Sequence, residues 1–331
     1  MKERQFSRSG GERSLYRACL LRGMRARAPR AENPWPEDHV IDLVLRAAQD
    51  PTSMATAPEL APVMTEFLAG LTEFSAAAAL FVLCSNLSFG NAGSLAVPMI
   101  SELDQADWVR EGAPIPVLMG VTELATMSPY KMATIIALTA EMMASGSAEA
   151  MMRQKLQDNV GPSLDRSLFS AAAGVPGLRP PGILNGVTPL AASADPNMNE
   201  RMIQDVEALV TALAAYGGNG RIAIIAPVKQ SVRLKKFVLG ETGYPVFVAN
   251  QPNLIAVASA ALAVAIDPPS IDTSSEAVFH LDDTPLPIAD GGVMATPVRS
   301  AWQEDSIGLR FRLPVSWVLR APAVSFLVPT W

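Results

Sequence analysis

Hydrophobic positions after Asn197 recur with a helical period. Met202, Ile203, Val206, Leu209, Val210 and Leu213 share one face, and Asn197-Met198-Asn199-Glu200 has capping-box spacing at the start. Gly217-Gly218-Asn219-Gly220 stops that helix. Arg221–Val228 then reads as a buried strand, Gln230–Leu239 as a basic helix, and Val246–Ala249 and Ile255–Ile266 as further strands. Together these predict an α/β unit over about Asp195–Asp290. Earlier, Met152, Leu156, Val160, Leu164 and Leu168 stand four apart, the stripe of a helix predicted over Ser147–Ala173. Such a helix would be about 40 Å long at ~1.5 Å per residue. Glu149 lies in its first turn, and Gly161-Pro162 predicts a kink or break. Gly174–Pro196 reads as loop. Leu95–Leu103 and Ile115–Leu124 read as the arms of a long hairpin with Trp108 at or near its tip. Near the end, Ile307, Leu309, Phe311 and Leu313 alternate with Gly308, Arg310 and Arg312, a strand. Glu37–Ala48 reads as a short helix, broken by Asp50-Pro51-Thr52-Ser53. Thr65–Leu83 is apolar without a clean period and fits helix or buried strand.

Composition sharpens this picture. Of 331 residues, 49% are hydrophobic and only 18% charged, against roughly 25% charged in an ordinary soluble chain. A chain so poor in charge has few polar side chains to cover its own surface. It reads as a subunit whose faces are buried by copies of itself, or as a very compact monomer. No apolar run reaches the ~18–20 residues of a membrane helix, and Cys19 and Cys84 make no disulfide framework. No secretory signal is evident, and production in the cytoplasm fits. Met1–Arg30 holds nine basic residues against Glu3 and Glu12, a net +7, so the remainder carries −13 of the overall −6. Residues 1–36 therefore read as a basic, flexible tail: a leader, an interaction arm, a nucleic-acid contact or a transit peptide.

The chemistry of most enzyme classes is missing. His39 and His280 are the only histidines, too few with two scattered cysteines for a zinc site. No serine sits in a Gly-x-Ser-x-Gly elbow, and no phosphate loop ends in Gly-Lys-Ser/Thr. Gly217–Gly220 precedes a strand, whereas a dinucleotide loop follows one and opens a helix. Asp282-Asp283 and Glu304-Asp305 read as solvated loop acids. Lys235-Lys236, with Arg233 and Lys229, is a basic face, either solvated or paired with a neighbouring subunit. No catalytic, metal or cofactor-binding residue is assigned.

At the hairpin, Ala106-Asp107-Trp108-Val109-Arg110-Glu111-Gly112-Ala113-Pro114-Ile115-Pro116 resembles the E-loop of tailed-phage major capsid proteins. Ser128-Pro129-Tyr130-Lys131-Met132-Ala133, leading into Thr139–Ser145, is similar to the segment that follows in that family. Leu164-Asp165-Arg166-Ser167-Leu168-Phe169, Pro180-Pro181-Gly182-Ile183-Leu184-Asn185-Gly186, Ser306–Phe311 and Val315–Trp331 complete the likeness, in order. It spans about Asp50–Trp331.

The resemblance implies an α+β phage major capsid fold, shared with encapsulins. It has an extended N-terminal arm, an E-loop hairpin, a peripheral domain with a long spine helix, and an axial α/β domain. On this chain it implies an arm region at 37–94, the E-loop at 95–126, a peripheral domain at 127–194 and an axial domain at 195–290, with C-terminal strands at 291–331 returning to the peripheral domain. Trp108, Arg110 and Glu111 become the expected subunit-interface residues. The implied function is a structural subunit that self-assembles into hexamers and pentamers of an icosahedral shell around phage, prophage or gene-transfer-particle DNA. The shell would form in the host cytoplasm. The implied partners are other copies of itself, a portal protein, and non-specifically packaged DNA, with no membrane and no cofactor. About 50 residues precede the arm-like region, so a scaffold and a maturation protease are expected as separate proteins. Some relatives cross-link through an E-loop lysine, but this chain has no lysine between Lys2 and Lys131. An encapsulin-like compartment shell, or an α/β enzyme built on 195–290, are the competing readings.

Overall fold

The computed structural model describes residues 17–18, 20–25, 32–38, 41, 68–90, 93–99, 108–111, 123–144, 148–217, 221–237, 244–280, 286–287, 294–295 and 298–331. They fall into two units. The first combines Met1–Phe67, Met132–Asn159 and Pro268–Leu313, and the second Leu68–Lys131, Val160–Asp267 and Pro314–Trp331. In chain order the elements begin with α1 (Ala76–Leu83), β1 (Ser85–Leu87), β2 (Leu95–Pro98), β3 (Leu124–Met127), β4 (Tyr130–Thr139), α2 (Ala140–Ala144) and α3 (Ala148–Leu168). Next come α4 (Met198–Thr211), α5 (Ala214–Gly217), β5 (Ile222–Ala226), α6 (Val228–Phe237), β6 (Val246–Val248), β7 (Leu254–Ala258) and β8 (Leu262–Ile266). The last are β9 (Ser270–Ser274), β10 (Val278–His280), β11 (Leu286–Pro287), β12 (Met294–Ala295), β13 (Val298–Ser300), β14 (Ser306–Leu319) and β15 (Val324–Leu327).

The second unit holds a four-stranded sheet in the order β15-β7-β5-β6. β5 is parallel to β6 and antiparallel to β7, and β15 closes the far edge antiparallel to β7. Both faces of β5 and β7 are buried, which is why Ile222–Ala226 and Leu254–Ala258 read as unbroken apolar runs. On one face Met202, Val206 and Leu209 of α4 and Leu234 of α6 share a core with Ile222, Ile224, Leu254, Leu327 and Trp331. Asn197 caps α4, its side-chain oxygen accepting from the Asn199 N–H at 3.0 Å. Trp331, 2% exposed, fills the centre of this core. Its Nε1 donates to buried Asp205 at 2.7 Å, and its main-chain oxygen accepts from Gln230 Nε2 at 2.9 Å and Lys229 Nζ at 3.2 Å.

Three expectations are corrected here. The run Ile255–Ile266 is two strands, not one, because a 3₁₀ turn at Ser259–Ala261 carries the chain from one sheet to another. β7 pairs with β5 and β15, whereas β8 pairs with β1 and with Val315–Leu319 of β14. Val228 opens α6 instead of ending a strand. Finally, the C-terminal strands do not all leave the 195–290 unit: β15 is an edge strand of its sheet, since Leu254–Ala258 has a free edge that Val324–Leu327 covers.

α3 runs through Gly161-Pro162 and ends at Leu168, short of Ala173, so of the expected kink or break, the break does not occur. Proline removes one hydrogen bond, but Met152, Leu156, Val160, Leu164 and Leu168 are buried on both sides of it, and that packing outweighs the loss. Gly161 is needed where it stands, since a Cβ would lie 3.0 Å from the Phe74 carbonyl oxygen. The segment after α3 is an ordered return. Ile183 N–H donates to the Leu168 carbonyl at 2.8 Å, satisfying a free carbonyl of the last turn. A Cβ on Gly182 would overlap the Ser170 carbonyl, which restricts that position to glycine.

The ambiguous stretch Thr65–Leu83 resolves, over its described part, into helical residues 68–71 and α1. Asp165 of α3 sits at the N-terminus of α1, accepting from the Ser75 hydroxyl and from the Ala77 N–H at 2.8 Å and the Ala76 N–H at 3.2 Å. Burial pushes its carboxyl up from the ordinary value, against those three donors. Cys84 follows α1, its Sγ 3.1 Å from the Leu80 carbonyl, and burial pushes the thiol up to about 12. Thiolate is the reactive form. Cys84 in the native chain is therefore expected to resist alkylation at pH 8 and to react once unfolded, read from the mass of its peptide. Rapid native labelling would contradict this.

In the first unit, Ser270–Ser274 pairs antiparallel with Gly308–Arg312 of β14, which also lies next to β4 in the sheet. The alternation read from the sequence is present: Ile307, Leu309, Phe311 and Leu313 are buried and Arg310 is exposed. The basic tail needs correction. Residues 20–25 are helical, and Ala18, Leu20 and Leu21 are buried. Arg17 lies 3.3 Å from Asp38 and 5.5 Å over the Trp35 ring. A short apolar cluster inside the arginines is enough to fold this part of 1–36. Of the Glu37–Ala48 helix only 37, 38 and 41 are described, Ile41 buried and the rest outside.

Candidate assembly interface

The root of the predicted hairpin is paired further along than the arms suggested. β2 and β3 are antiparallel, with Leu95 opposite Met127 and Pro98 opposite Leu124. Residues 100–107 and 112–122 lie outside the described residues. Val97 and Met127 are buried with Phe89, Ala263 and Ala265, and Arg320 Nε donates to the Pro98 carbonyl at 2.9 Å. The hairpin is thus anchored in the second unit by an apolar root. Of the named interface residues, the structure places Trp108, Arg110 and Glu111 together on one exposed stretch, with Val109 between them. Trp108 is fully exposed, at 104%. A tryptophan in water leaves an apolar area of ~150–250 Å² uncovered.

Further apolar side chains stand exposed that the pattern of the sequence did not single out. Trp302, 78% exposed, sits on the turn before β14, where Asp305 adopts a left-handed φ of 47°. Val228 and Val232 project from α6 beside Lys235 and Lys236. Turn tryptophans and helix valines read as core in a sequence, so only their exposure could reveal them. Glu304 pairs with Arg299 at 3.2 Å, as suits a loop acid. Asp282, Asp283 and His39 lie outside the described residues.

In the first unit Asp272 gathers three guanidiniums: Arg310 and Arg312 each at 2.8 Å and Arg22 at 3.8 Å. A cavity of about 290 Å³ beside it is lined by Ile135, Phe279, Gly308 and Arg310 among others. The cluster ties the N-terminal helical segment to β9 and β14. The Asp272 carboxylate is taken up by these guanidiniums, and among the described residues no group of three or more metal-ligating side chains occurs. No helix among the described residues is long and apolar enough to cross a membrane.

A sequence model of the phage capsid family matches residues 61–258, more than half of the chain. The chain belongs to the phage capsid family. Its fold is similar to that of a chain from Microbacterium phage Oxtober96, with a TM-score of 0.52 at 16% identity over 77% of this chain and 91% of that one. A chain from Mycobacterium phage Cain matches with a TM-score of 0.50 at 14% identity, over 77% and 90%. The capsid of an empty GTA particle matches with a TM-score of 0.46 at 15% identity, over 76% and 89%. No curated protein matches the chain. The capsid-family α+β fold expected from the hairpin and helix motifs is the fold observed, and a structural shell role is favoured over the α/β enzyme.

Proposed function

We propose that this protein is a major capsid subunit whose mechanism is self-assembly, not catalysis, into hexamers and pentamers of an icosahedral shell around phage, prophage or gene-transfer-particle DNA. The family match over residues 61–258 carries the reading, and the full exposure of Trp108 supports it. In this reading Leu95–Thr126 is the E-loop, α3 the spine helix, and the β15-β7-β5-β6 sheet with α4 and α6 the axial domain. In this reading a portal protein, a scaffold and a maturation protease act in its assembly, in the host cytoplasm. DNA contact is non-specific and falls to the basic 1–30 segment, because the net −13 of the rest repels phosphate. Electron microscopy of the purified protein tests this: closed shells or capsomers are expected, and a discrete monomer at every concentration and salt would overturn it.

One consequence concerns covalent cross-linking. An isopeptide needs a lysine amine, and Leu95–Thr126 has none. Mature particles boiled in detergent are expected to release single chains of 35.1 kDa or trimmed forms of them. A ladder of multimers linked through this loop would show the expectation wrong.

A further inference from the structure

Helices α4 and α6 lie on the same face of the four-stranded sheet but over opposite edges, α4 packing on β15 and β7 and α6 on β6 and β5. Trp331 stands between them, held by Asp205 from α4 and by Lys229 and Gln230 from α6, so these residues mark the inward flanks. With about 100° of rotation per residue, Glu200, Ile203 and Glu207 fall on the flank of α4 away from Asp205. By the same count Val228, Val232 and Lys235 fall on the flank of α6 away from Gln230. All six are exposed. Each outer flank has an apolar centre and a charged rim: isoleucine with two glutamates on one, two valines with Lys235, and Lys236 close by, on the other.

We propose that these outer flanks are the two halves of a head-to-tail contact between copies of this chain, the acidic flank of α4 in one copy seating on the basic flank of α6 in the next. An apolar centre within a polar rim is the usual make-up of a protein interface. Opposite charges at opposite edges favour this arrangement over a two-fold one, which would press each flank against its own like charges. Repeated head-to-tail contacts close into rings when the rotation permits. The proposal rests on the shell-subunit reading and adds which surfaces join neighbours around the ring.

The test is a charge swap in the full chain. Lys235→Glu with Lys236→Glu makes both flanks acidic, and Glu200→Lys with Glu207→Lys makes both basic. Each protein alone is expected to lose at least about tenfold in particle yield at 0.15 M salt, measured by sedimentation. Much of that loss should be recovered at 1 M salt, where the Debye length falls from about 8 to about 3 Å. The four-fold variant, with both flanks reversed, should assemble as the wild type does. Equimolar mixing of the two reversed proteins should restore rings of even number, because members must alternate; five-fold rings would keep one like-charge contact, so closed shells should lag behind hexamers. Melting of the unassembled proteins should be unchanged, as all four residues are exposed. If a reversed pair melts early, the neutral Lys235→Gln and Glu207→Gln variants take its place, each expected to lower yield about twofold. Wild-type protein that never assembles would defeat the shell reading itself. Wild-type assembly with equal yields from the reversed or neutralised variants, or a four-fold variant as poor as the two it combines, would overturn this contact while leaving the shell reading intact.

Discussion

Trp331→Ala is expected to lower the stability of the unassembled protein by about 3–5 kcal/mol, the range for truncating a buried tryptophan. The ring is 2% exposed and shares its core with α4, α6, β5 and β7, so no single element can move to fill the space. The loss has a second part. Asp205, 1% exposed, accepts from the indole Nε1 at 2.7 Å and from the Ser193 N–H at 2.7 Å. Removing the indole leaves a buried carboxylate short of one donor, which costs about 1–3 kcal/mol or more for a charged group. Trp331→Phe separates the two: it keeps most of the volume, loses the donor, and is expected to destabilise by about 1–3 kcal/mol. Asp205→Ala should fall in the same range, since it strands the indole N–H instead. At roughly 2–4 °C per kcal/mol for a unit of this size, Trp331→Ala should melt about 10 °C early, by circular dichroism. A melting point within about 2 °C of the wild type would mean that the tryptophan is dispensable to this core.

The parts of the fold that were legible in the sequence are those where one physical rule acts alone. α4 follows from its 3.6-residue period and its Asn197 cap, and the paired stretch of β14 from strict alternation. The misreadings arise where local and tertiary preferences oppose each other. Pro162 argues locally against a helix, yet a buried stripe on both sides carries α3 through it. Ile255–Ile266 is apolar apart from Ser259, because both faces are buried in each of two sheets, so a single serine is all that its pattern offers to mark the turn at Ser259–Ala261. Leu20 and Leu21 were masked by the arginines around them. The exposure of apolar residues divides in the same way. Trp108 could be found because a tryptophan near a hairpin tip has no core within reach. Val228, Val232 and Ile203 could not, because an apolar residue on an amphipathic helix reads as inward-facing until the packing shows which flank is left bare.

Trp108→Ala is expected to leave the unassembled chain unchanged and to weaken assembly strongly. The side chain is 104% exposed, so no contact among the described residues depends on it; substitutions at such positions usually fall within about 0.5 kcal/mol. In a shell the indole is buried by a neighbour or the hairpin is not an interface. Buried interface tryptophans cost about 2 kcal/mol or more when truncated, roughly thirtyfold in a single contact. The loss recurs at every symmetry-related contact, so particle yield should fall more steeply than one contact implies. Arg110 and Glu111 are exposed beside it, and their joint change to alanine should be milder, because solvent screens pairs they form at the rim. The measurement compares melting of the unassembled variants with particle yield by sedimentation at matched concentration. A Trp108→Ala chain that melts early would place the ring in a core after all, and one that folds and assembles normally would remove the hairpin tip from the interface.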